Sequence, residues 1–375
     1  MKSTTSVLRI PRLLAAAILL ASLVTATVRA ANTPNFVFFL VDDMGWIDPA
    51  CYGNRFHETP NIDRLATQGM RFTNAYAACP VCSPTRASIL TGKYPATLNL
   101  TDFIPGHSRP WEKLVVPEMN MNLPLEEITF AELLHPAGYV SASYGKWHLG
   151  GPAFFPGQQG FDEFIVTSGR HFAPRFNTTP ETPVEDGTYL GDFLTTQAEQ
   201  FLERHKAEPF VLYLPHYAVH IPLEADEALV EKYREKASRE EFRPKIHITI
   251  QATGESVFED EETRVVLSFL ASLGVGDPKL EIKEIKWAKS SKAWLESTLS
   301  FSTETSLSKL LEYAEQVKTD LNKKILPGTR LECRVSPVNN PTYAAMVEHI
   351  DRSLGRIVAK LDELKLADNT VLIFF

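Results

Sequence analysis

Short apolar runs recur along this chain and alternate with amphipathic segments, and this alternation constrains the fold more than any other feature. The first run, NFVFFLV at 35–41, has the length and composition of a strand buried on both faces. The order of runs and amphipathic segments predicts an α/β fold, a doubly wound, mostly parallel sheet with helices on both faces. The predicted strands are 35–41, 139–144, 210–214 and 370–375, and the predicted helices are 60–69, 84–91, 129–136, 190–205 and 341–364.

Polar residues follow three of the predicted strands where each strand ends. Because ligands of such sheets bind beyond the carboxyl ends of the strands, these residues are expected at one functional edge. Each group alone has an ordinary explanation as a turn, a helix cap or a solvated loop, but three groups at the same edge favour a site. They are Asp42 and Asp43 after the first strand, Lys146 and His148 after the second, and His216 and His220 after the third.

Residues 239–337 depart from this alternation. Their apolar pattern predicts the order β-α-β-β-α-β, which is the ferredoxin-like motif. The first and last strands of that motif lie side by side, so its ends are close together and it can be inserted into a host loop. We therefore expect a small inserted α+β domain at 239–337 between two parts of a catalytic domain, 31–238 and 338–375. A long disordered loop is the alternative, which the sustained periodicity disfavours.

The first thirty residues predict an export signal. Basic residues precede an apolar run from Leu13 to Val24, and Val28-Arg29-Ala30 places small residues at a cleavage position. The run is shorter than the ~20 apolar residues that a spanning helix needs, so removal of 1–30 is favoured over an uncleaved anchor. The expectation is an exported protein, periplasmic or extracellular, or lysosomal in a eukaryote, without stable membrane insertion.

Charge and cysteine content limit the kind of protein further. The formal net charge of −8 argues against a nucleic-acid partner, although a local basic cluster can still hold an anionic substrate. Four cysteines are too few for a disulfide scaffold in an exported chain of this size. At least one of the four cysteines is therefore expected to have a role other than in a disulfide scaffold.

The segment Cys82-Ser-Pro-Thr-Arg86 predicts a nucleophile at an anion-binding site. Ser83 is a good N-cap and Pro84 a good first helical residue, which puts Cys82 at the mouth of a helix. The free N–H groups of that helix end attract anions, and Arg86 adds a guanidinium fork suited to sulfate or phosphate. A disulfide to Cys79 or to another cysteine, or a buried thiol, is the alternative, and the local sequence does not decide between them.

Several motifs together resemble the type I sulfatases, formylglycine-dependent members of the alkaline-phosphatase superfamily. CSPTRASILTGKYP from Cys82 is similar to their first signature, and GKWHLG from Gly145 to their second. PNFVFFLVDDMG from Pro34, TPNID from Thr59 and VHIP from Val219 match in the same order. The resemblance covers about 34–236 and resumes over about 338–375.

The resemblance implies a sulfatase, a sulfuric ester hydrolase acting on sulfated carbohydrates. A maturation enzyme would oxidise Cys82 to formylglycine, whose hydrated form attacks sulfur and whose second hydroxyl then expels sulfate. The implied partners are therefore a sulfated carbohydrate or another sulfate ester, and the formylglycine-generating enzyme.

The resemblance also implies a Ca²⁺ site and a set of catalytic side chains. Asp42, Asp43 and residue 82 would bind the ion, a hard cation that takes carboxylate oxygens and polarises the sulfate. His216 has no counterpart in the family pattern and is interpreted as structural or supporting, and Asp63 as a helix-start residue. The implied catalytic residues are Cys82, Arg86, which steadies the nucleophile, Lys146 and His220, which hold sulfate oxygens, and His148, which handles protons.

The family pattern extends past the last residue of this sequence. Its further calcium ligands, an Asp and an Asn, and a sulfate-binding lysine would follow the final predicted strand, which ends at Phe375. The expected fold thus lacks the C-terminal part of the family fold, and the ion would lack much of its usual shell of six to eight oxygens. Weak or absent catalysis by these residues alone is the expectation.

Two other functions compete with a sulfatase. A phosphodiesterase or phosphonate monoester hydrolase of the same superfamily shares the nucleophile motif, and the GKWHLG segment favours a sulfatase over it. The second alternative is a catalytically inactive secreted protein that binds glycans. An unmodified Cys82 would distinguish it from a sulfatase.

Overall fold

A computed structural model of the chain describes residues 33–107, 113–243, 245–252, 279–286, 294–300, 307–323, 329–335 and 339–375. The predicted export signal at 1–30 lies outside them. The chain divides into two compact units: the described residues up to Ala225 with Met346–Phe375, and Asp226–Ala345. Among the described residues, no helix is both long enough and apolar enough to cross a membrane.

A six-stranded sheet forms the centre of the first unit. Its strands are β1 (Asn35–Leu40), β2 (Val140–Gly145), β3 (Glu163–Gly169), β4 (Phe176–Thr179), β5 (Phe210–Pro215) and β10 (Thr370–Phe374). They lie in the order β10-β1-β5-β2-β3-β4, all parallel except for the antiparallel pair β3 and β4. The predicted doubly wound, mostly parallel sheet is confirmed.

The sequence analysis missed β3 and β4, and the reason is physical. Both strands lie toward one edge of the sheet and are only partly buried, so they lack the continuous apolar run that predicted the inner strands. Only two of the seven β3 residues, Ile165 and Thr167, are buried.

Helices cover this sheet, and one of them begins earlier than predicted. Ser83 is not the N-cap of its helix: the helix starts at Cys82 and its N-cap is Val81, which makes no side-chain capping bond. Pro84 still lies in the first turn, where a missing N–H costs nothing. Leu40, Ala87 and Trp147 belong to the buried cluster packed here. The α-helices of the described residues are α1 (Pro60–Gln68), α2 (Cys82–Thr91), α3 (Phe130–Leu134), α4 (Leu190–Arg204), α5 (Glu227–Ala237), α6 (Leu307–Asn322) and α7 (Pro341–Glu363).

The second unit contains a four-stranded antiparallel sheet. Its strands are β6 (Lys245–Ala252), β7 (Lys279–Lys286), β8 (Trp294–Ser300) and β9 (Thr329–Val335), in the order β7-β8-β6-β9. The first and last strands are neighbours, as the ferredoxin-like motif requires, and the second strand has a register shift between Ile282 and Glu284. The first predicted helix of the motif, around Val265, lies outside the described residues. The unit is wider than 239–337 because α5 groups with it, and its status as an inserted domain stays a prediction.

Candidate active site

The carboxyl ends of β1, β2 and β5 meet at one edge of the parallel sheet. Leu40 is in register with Pro215, and the Lys146 and His216 N–H groups donate to the carbonyls of Pro215 and Leu40 at 2.9 and 2.8 Å. Gly145 permits this close approach, because its φ is +136° and a Cβ there would lie 2.0 Å from the Pro215 carbonyl oxygen. The expected convergence of the three polar groups on this edge is therefore found.

Asp42 lies buried between two cations. The Arg86 Nη2 is 3.2 Å from Asp42 Oδ1, and the Lys146 ammonium donates to Asp42 Oδ2. Arg86 also donates from Nη1 to the Lys146 carbonyl at 2.7 Å, which joins the three residues in one network. Burial alone would raise the pKa of Asp42, but the charges of Arg86 and Lys146 outweigh it and hold the pKa below its usual value. The carboxylate thus stays ionised between the two cations, and the charges of these three side chains sum to +1.

The geometry around His148 fixes which of its nitrogens can accept a proton. Its Nε2 lies 2.6 Å from the Ile104 carbonyl oxygen, and a carbonyl only accepts, so Nε2 carries the hydrogen. Burial, reinforced by the charge of Lys146, lowers the pKa of His148 and keeps the ring neutral. Nδ1 is therefore a free acceptor, and it faces Cys82 Sγ at 3.1 Å.

Ser83 supports this arrangement from the residue next to Cys82. Its fully buried hydroxyl accepts a hydrogen bond from the Ile104 N–H at 3.1 Å, which holds the Ile104 carbonyl toward His148. The side chain predicted to cap the helix is thus used for a long-range contact instead. Local sequence gave no signal for this bond.

His220 and Asp43 complete the edge. His220 Nδ1 lies 2.6 Å from the Ile221 carbonyl and therefore donates to it, while Nε2 is 3.6 Å from Asp43 Oδ2. Tyr217, which the sequence analysis missed, lies between the two groups of site residues. Its ring is 5.1 Å from both the Lys146 ammonium and the His220 ring.

His216 is fully buried and fits the structural interpretation. Its ring packs against that of Phe39 at a tilt of 32°, with centroids 4.5 Å apart, and neither ring nitrogen has a hydrogen-bond partner among the described residues. Burial lowers the pKa of His216 to about 3. Asp63 fits the helix-start interpretation, since it accepts bonds from the Cys51 N–H and the Thr59 hydroxyl at 2.8 and 3.1 Å.

The disulfide alternative for Cys82 is wrong in this structure. Cys51, Cys79 and Cys82 are all free thiols. Cys82 is the first residue of α2, so its side chain lies at the positive end of a ten-residue helix.

The donor types at this edge fit Ca²⁺, but they are few. Asp42 and Asp43 supply carboxylate oxygens, the ligands that a hard cation prefers. Within the described part of the chain, no cluster of three or more acidic, histidine or cysteine side chains is arranged to hold a metal. The donor types therefore suit Ca²⁺, but the described residues supply fewer oxygen ligands than the six to eight that the ion normally takes.

The sequence model of the Sulfatase family matches residues 34–375. The chain belongs to the sulfatase family. This sulfatase also shares its fold with solved structures: that of Ps i-CgsB has a TM-score of 0.55 at 21% identity and is matched over 91% of this chain and 58% of that chain. The structure of BT4656 gives a TM-score of 0.54 at 23% identity over 91% and 65% of the two chains.

Curated relatives match the first part of this sulfatase. The N-acetylgalactosamine-6-sulfatase of Sus scrofa is 38% identical over 224 residues, 54% of this chain and 42% of the relative. Arylsulfatase A of Homo sapiens is 40% identical over 173 residues, 44% of this chain and 32% of the relative. The chain thus spans less than half the length of the curated relatives it matches.

Proposed function

We propose that this sulfatase hydrolyses sulfate esters of carbohydrates through a formylglycine made from Cys82, with Ca²⁺ bound beside it. One observation carries the proposal: Cys82, at the positive end of α2, lies 3.1 Å from the acceptor nitrogen of His148. Arg86 and Lys146 are held next to it by the shared carboxylate of Asp42. A nucleophile, a proton acceptor and two cations at one sheet edge are what an attack on an anionic ester needs.

Each side chain has a role that its contacts support. Nδ1 of His148 accepts the proton of the attacking hydroxyl at position 82, because Nε2 is committed to the Ile104 carbonyl. Lys146 and the doubly protonated form of His220 hold sulfate oxygens, because His220 Nδ1 already donates to the Ile221 carbonyl. Arg86 orients the residue at position 82 from the next turn of α2. The formylglycine, when present, supplies two hydroxyls in its hydrated form, one for attack on sulfur and one for release of sulfate.

Asp42 and Asp43 are the residues that would hold Ca²⁺, together with the oxygen of residue 82. Since the described residues provide only these protein donors, we expect weak binding, with a Kd on the order of 10⁻⁴–10⁻³ M or above. Calorimetric titration of CaCl₂ into the protein and into Asp43→Asn, with the exposed Asp368→Asn as the matched control, tests this. An unchanged Ca²⁺ affinity in Asp43→Asn would show that Asp43 is not a ligand of the ion.

The substrate class is proposed from the curated relatives. The N-acetylgalactosamine-6-sulfatases among them are named for a sulfated sugar, and they match this chain at 36–41% identity. A sulfated amino sugar is therefore the substrate to assay first. The export of the protein, the removal of 1–30 and the inserted domain at 239–337 are part of the same proposal. N-terminal sequencing of secreted protein tests the cleavage.

The decisive experiment follows the fate of Cys82. The chain is coexpressed with a formylglycine-generating enzyme, and the tryptic peptide 72–86 is analysed by mass spectrometry. Loss of hydrogen sulfide with gain of one oxygen at Cys82, together with turnover of a sugar sulfate that Cys82→Ala lacks, supports the proposal. An unmodified thiol would favour a glycan-binding protein, and faster turnover of a phosphate diester or phosphonate than of the sulfate would favour the related hydrolases.

A further inference from the structure

A pair of arginines stands beside the proposed sulfate site on the hairpin between β3 and β4. The hairpin is tight: the Arg170 N–H donates to the Arg175 carbonyl at 3.0 Å, and the Arg175 N–H donates to the Phe172 carbonyl at 2.9 Å. Gly169 allows this closure, since its φ is +111° and a Cβ there would lie 2.5 Å from the Arg175 carbonyl oxygen. The backbone thus brings the two arginines together on one side of the turn.

Both guanidinium groups bind the same carboxylate. Arg170 Nε and Arg175 Nη1 each donate to Glu224 Oε1 at 2.9 Å, and the His171 N–H donates to Glu224 Oε2 at 3.2 Å. Glu224 is mostly buried, whereas the arginine side chains are 48% and 52% exposed. One carboxylate balances only one of the two positive charges. The cluster therefore holds a net positive charge and unused N–H donors in a fixed place facing solvent.

His171 connects this cluster to the proposed catalytic edge. Its Nε2 lies 3.0 Å from the His220 carbonyl oxygen and donates to it, and its ring centroid is 5.0 Å from that of Tyr217. His220 is the side chain proposed to hold a sulfate oxygen. The hairpin that carries the two arginines is therefore joined to the backbone of a proposed sulfate-binding residue by a hydrogen bond from His171.

We propose that Arg170 and Arg175 form a subsite for a second oxyanion of the substrate, a sulfate or a carboxylate adjacent to the sulfate that is removed. The inference rests on the proposed function and narrows it to substrates with at least two anionic groups. Glu224 is the positioning residue of this subsite, since it fixes both guanidinium groups without satisfying all their donors. An arginine fork binds an oxyanion through two parallel N–H bonds, which accounts for arginine rather than lysine at both positions.

Binding is measured by calorimetry in a Cys82→Ala background, which forms no formylglycine and turns over nothing. The probes are glucosamine 6-O-sulfate, with one oxyanion, glucosamine-2-N,6-O-disulfate, with a second sulfate, and a 6-O-sulfated glucosamine linked to a uronic acid, with a second carboxylate. Arg170→Ala/Arg175→Ala should weaken binding of a doubly anionic probe about tenfold or more and leave the monosulfate within about twofold. The probe that loses more identifies the second group as sulfate or carboxylate.

Two further variants separate this role from general charge or stability effects. Arg170→Lys/Arg175→Lys keeps the charge but lacks the fork, and it should recover only part of the affinity. Arg204→Ala is the matched control, because Arg204 is also 48% exposed and paired with a carboxylate, that of Glu163 at the opposite end of β3; it should change nothing. The subsite proposal would be overturned if Arg170→Ala/Arg175→Ala lost affinity equally for all probes or lost none for any probe. It would also be overturned if no probe bound to the protein with both arginines intact. Absence of turnover by mature wild-type protein would instead count against the proposed function, whatever the binding results.

Discussion

At the residue scale, the candidate site depends on a few atoms whose hydrogen-bonding or charge partners leave them only one possible function. The Ile104 carbonyl can only accept, so it fixes the hydrogen of His148 on Nε2 and leaves Nδ1 for the group at position 82. The Asp42 carboxylate holds two cations that would otherwise repel each other. Ser83 accepts a hydrogen bond from Ile104 and so connects the neighbour of the proposed nucleophile to the proposed proton acceptor. Residues in the CSPTR motif thus act through contacts far along the chain as well as locally.

Replacing Ser83 by alanine should slow catalysis and shift its pH dependence. Loss of one hydrogen bond that positions the proton acceptor corresponds to about a tenfold lower kcat, measured per formylglycine present. The bond to Ile104 raises the pKa of His148, so weakening it should lower that pKa and move the acidic limb of the rate profile to lower pH. A fall in rate with an unmoved acidic limb would mean that Ser83 has only a structural role.

Two variants control this experiment. Ser83→Thr keeps a hydroxyl and should restore most of the rate. Ser88→Ala removes a hydroxyl of the same helix whose buried oxygen has no hydrogen-bond partner among the described residues, and it should leave the rate unchanged.

At the element scale, the site exists because parallel strands end together. The strands β1, β2 and β5 lie side by side, so residues that are far apart in sequence meet where those strands stop. Two glycines permit unusually close backbone contacts, Gly145 against the end of β5 and Gly169 across the β3–β4 hairpin. Both positions have a positive φ, which favours glycine, and both are also too crowded for a side chain.

Gly145→Ala should destabilise the protein strongly. The new methyl would collide with the Pro215 carbonyl and force β2 and β5 apart at the site, at a cost of about 3 kcal/mol or more. Gly138→Ala is the matched control, because its φ is +84° but nothing lies within 4 Å of a Cβ there; it should cost about 1–2 kcal/mol from backbone strain alone. Urea unfolding of both variants measures the difference, and equal costs would mean that crowding at Gly145 is relieved by local movement.

At the scale of the whole molecule, buried histidine makes the stability of the fold depend on pH. His216 stays neutral in the folded protein because burial lowers its pKa to about 3, whereas in the unfolded chain it takes up a proton near its ordinary value of 6.5. Between these values the unfolded state binds more protons. The free energy of unfolding should therefore fall as pH decreases below 6.5, by about 1.4 kcal/mol per pH unit from this residue.

His216→Phe tests this contribution. Phenylalanine keeps the ring packing against Phe39 and has no ring nitrogens to leave unpaired, so stability at pH 7 should change little. Urea unfolding at pH 7.0, 6.0 and 5.0 should show a smaller loss with acidification in the variant than in wild type. The same pH dependence in both proteins would show that His216 is accommodated in its protonated form.

The sequence by itself determined most of the local elements and the placement of polar residues at one edge of the sheet. Continuous apolar runs predicted the inner strands, because these strands are buried on both faces. The residues around Cys82 predicted a helix whose positive end lies at Cys82. The pairing of the first and last strands of the small sheet likewise followed from the apolar pattern of residues 239–337. These features depend on neighbours in sequence or on a repeating pattern, which a single chain displays directly.

Only the tertiary structure decided which side chains touch. Ser83 appeared to be a helix cap and became the support of Ile104, 21 residues away. Arg170 and Arg175 lie on a hairpin whose strands are too polar to be recognised, and Glu224, which joins them, comes about fifty residues later. Such pairings depend on how the strands stack and where loops return, and the free energy that selects them comes from packing of the whole core rather than from any local preference.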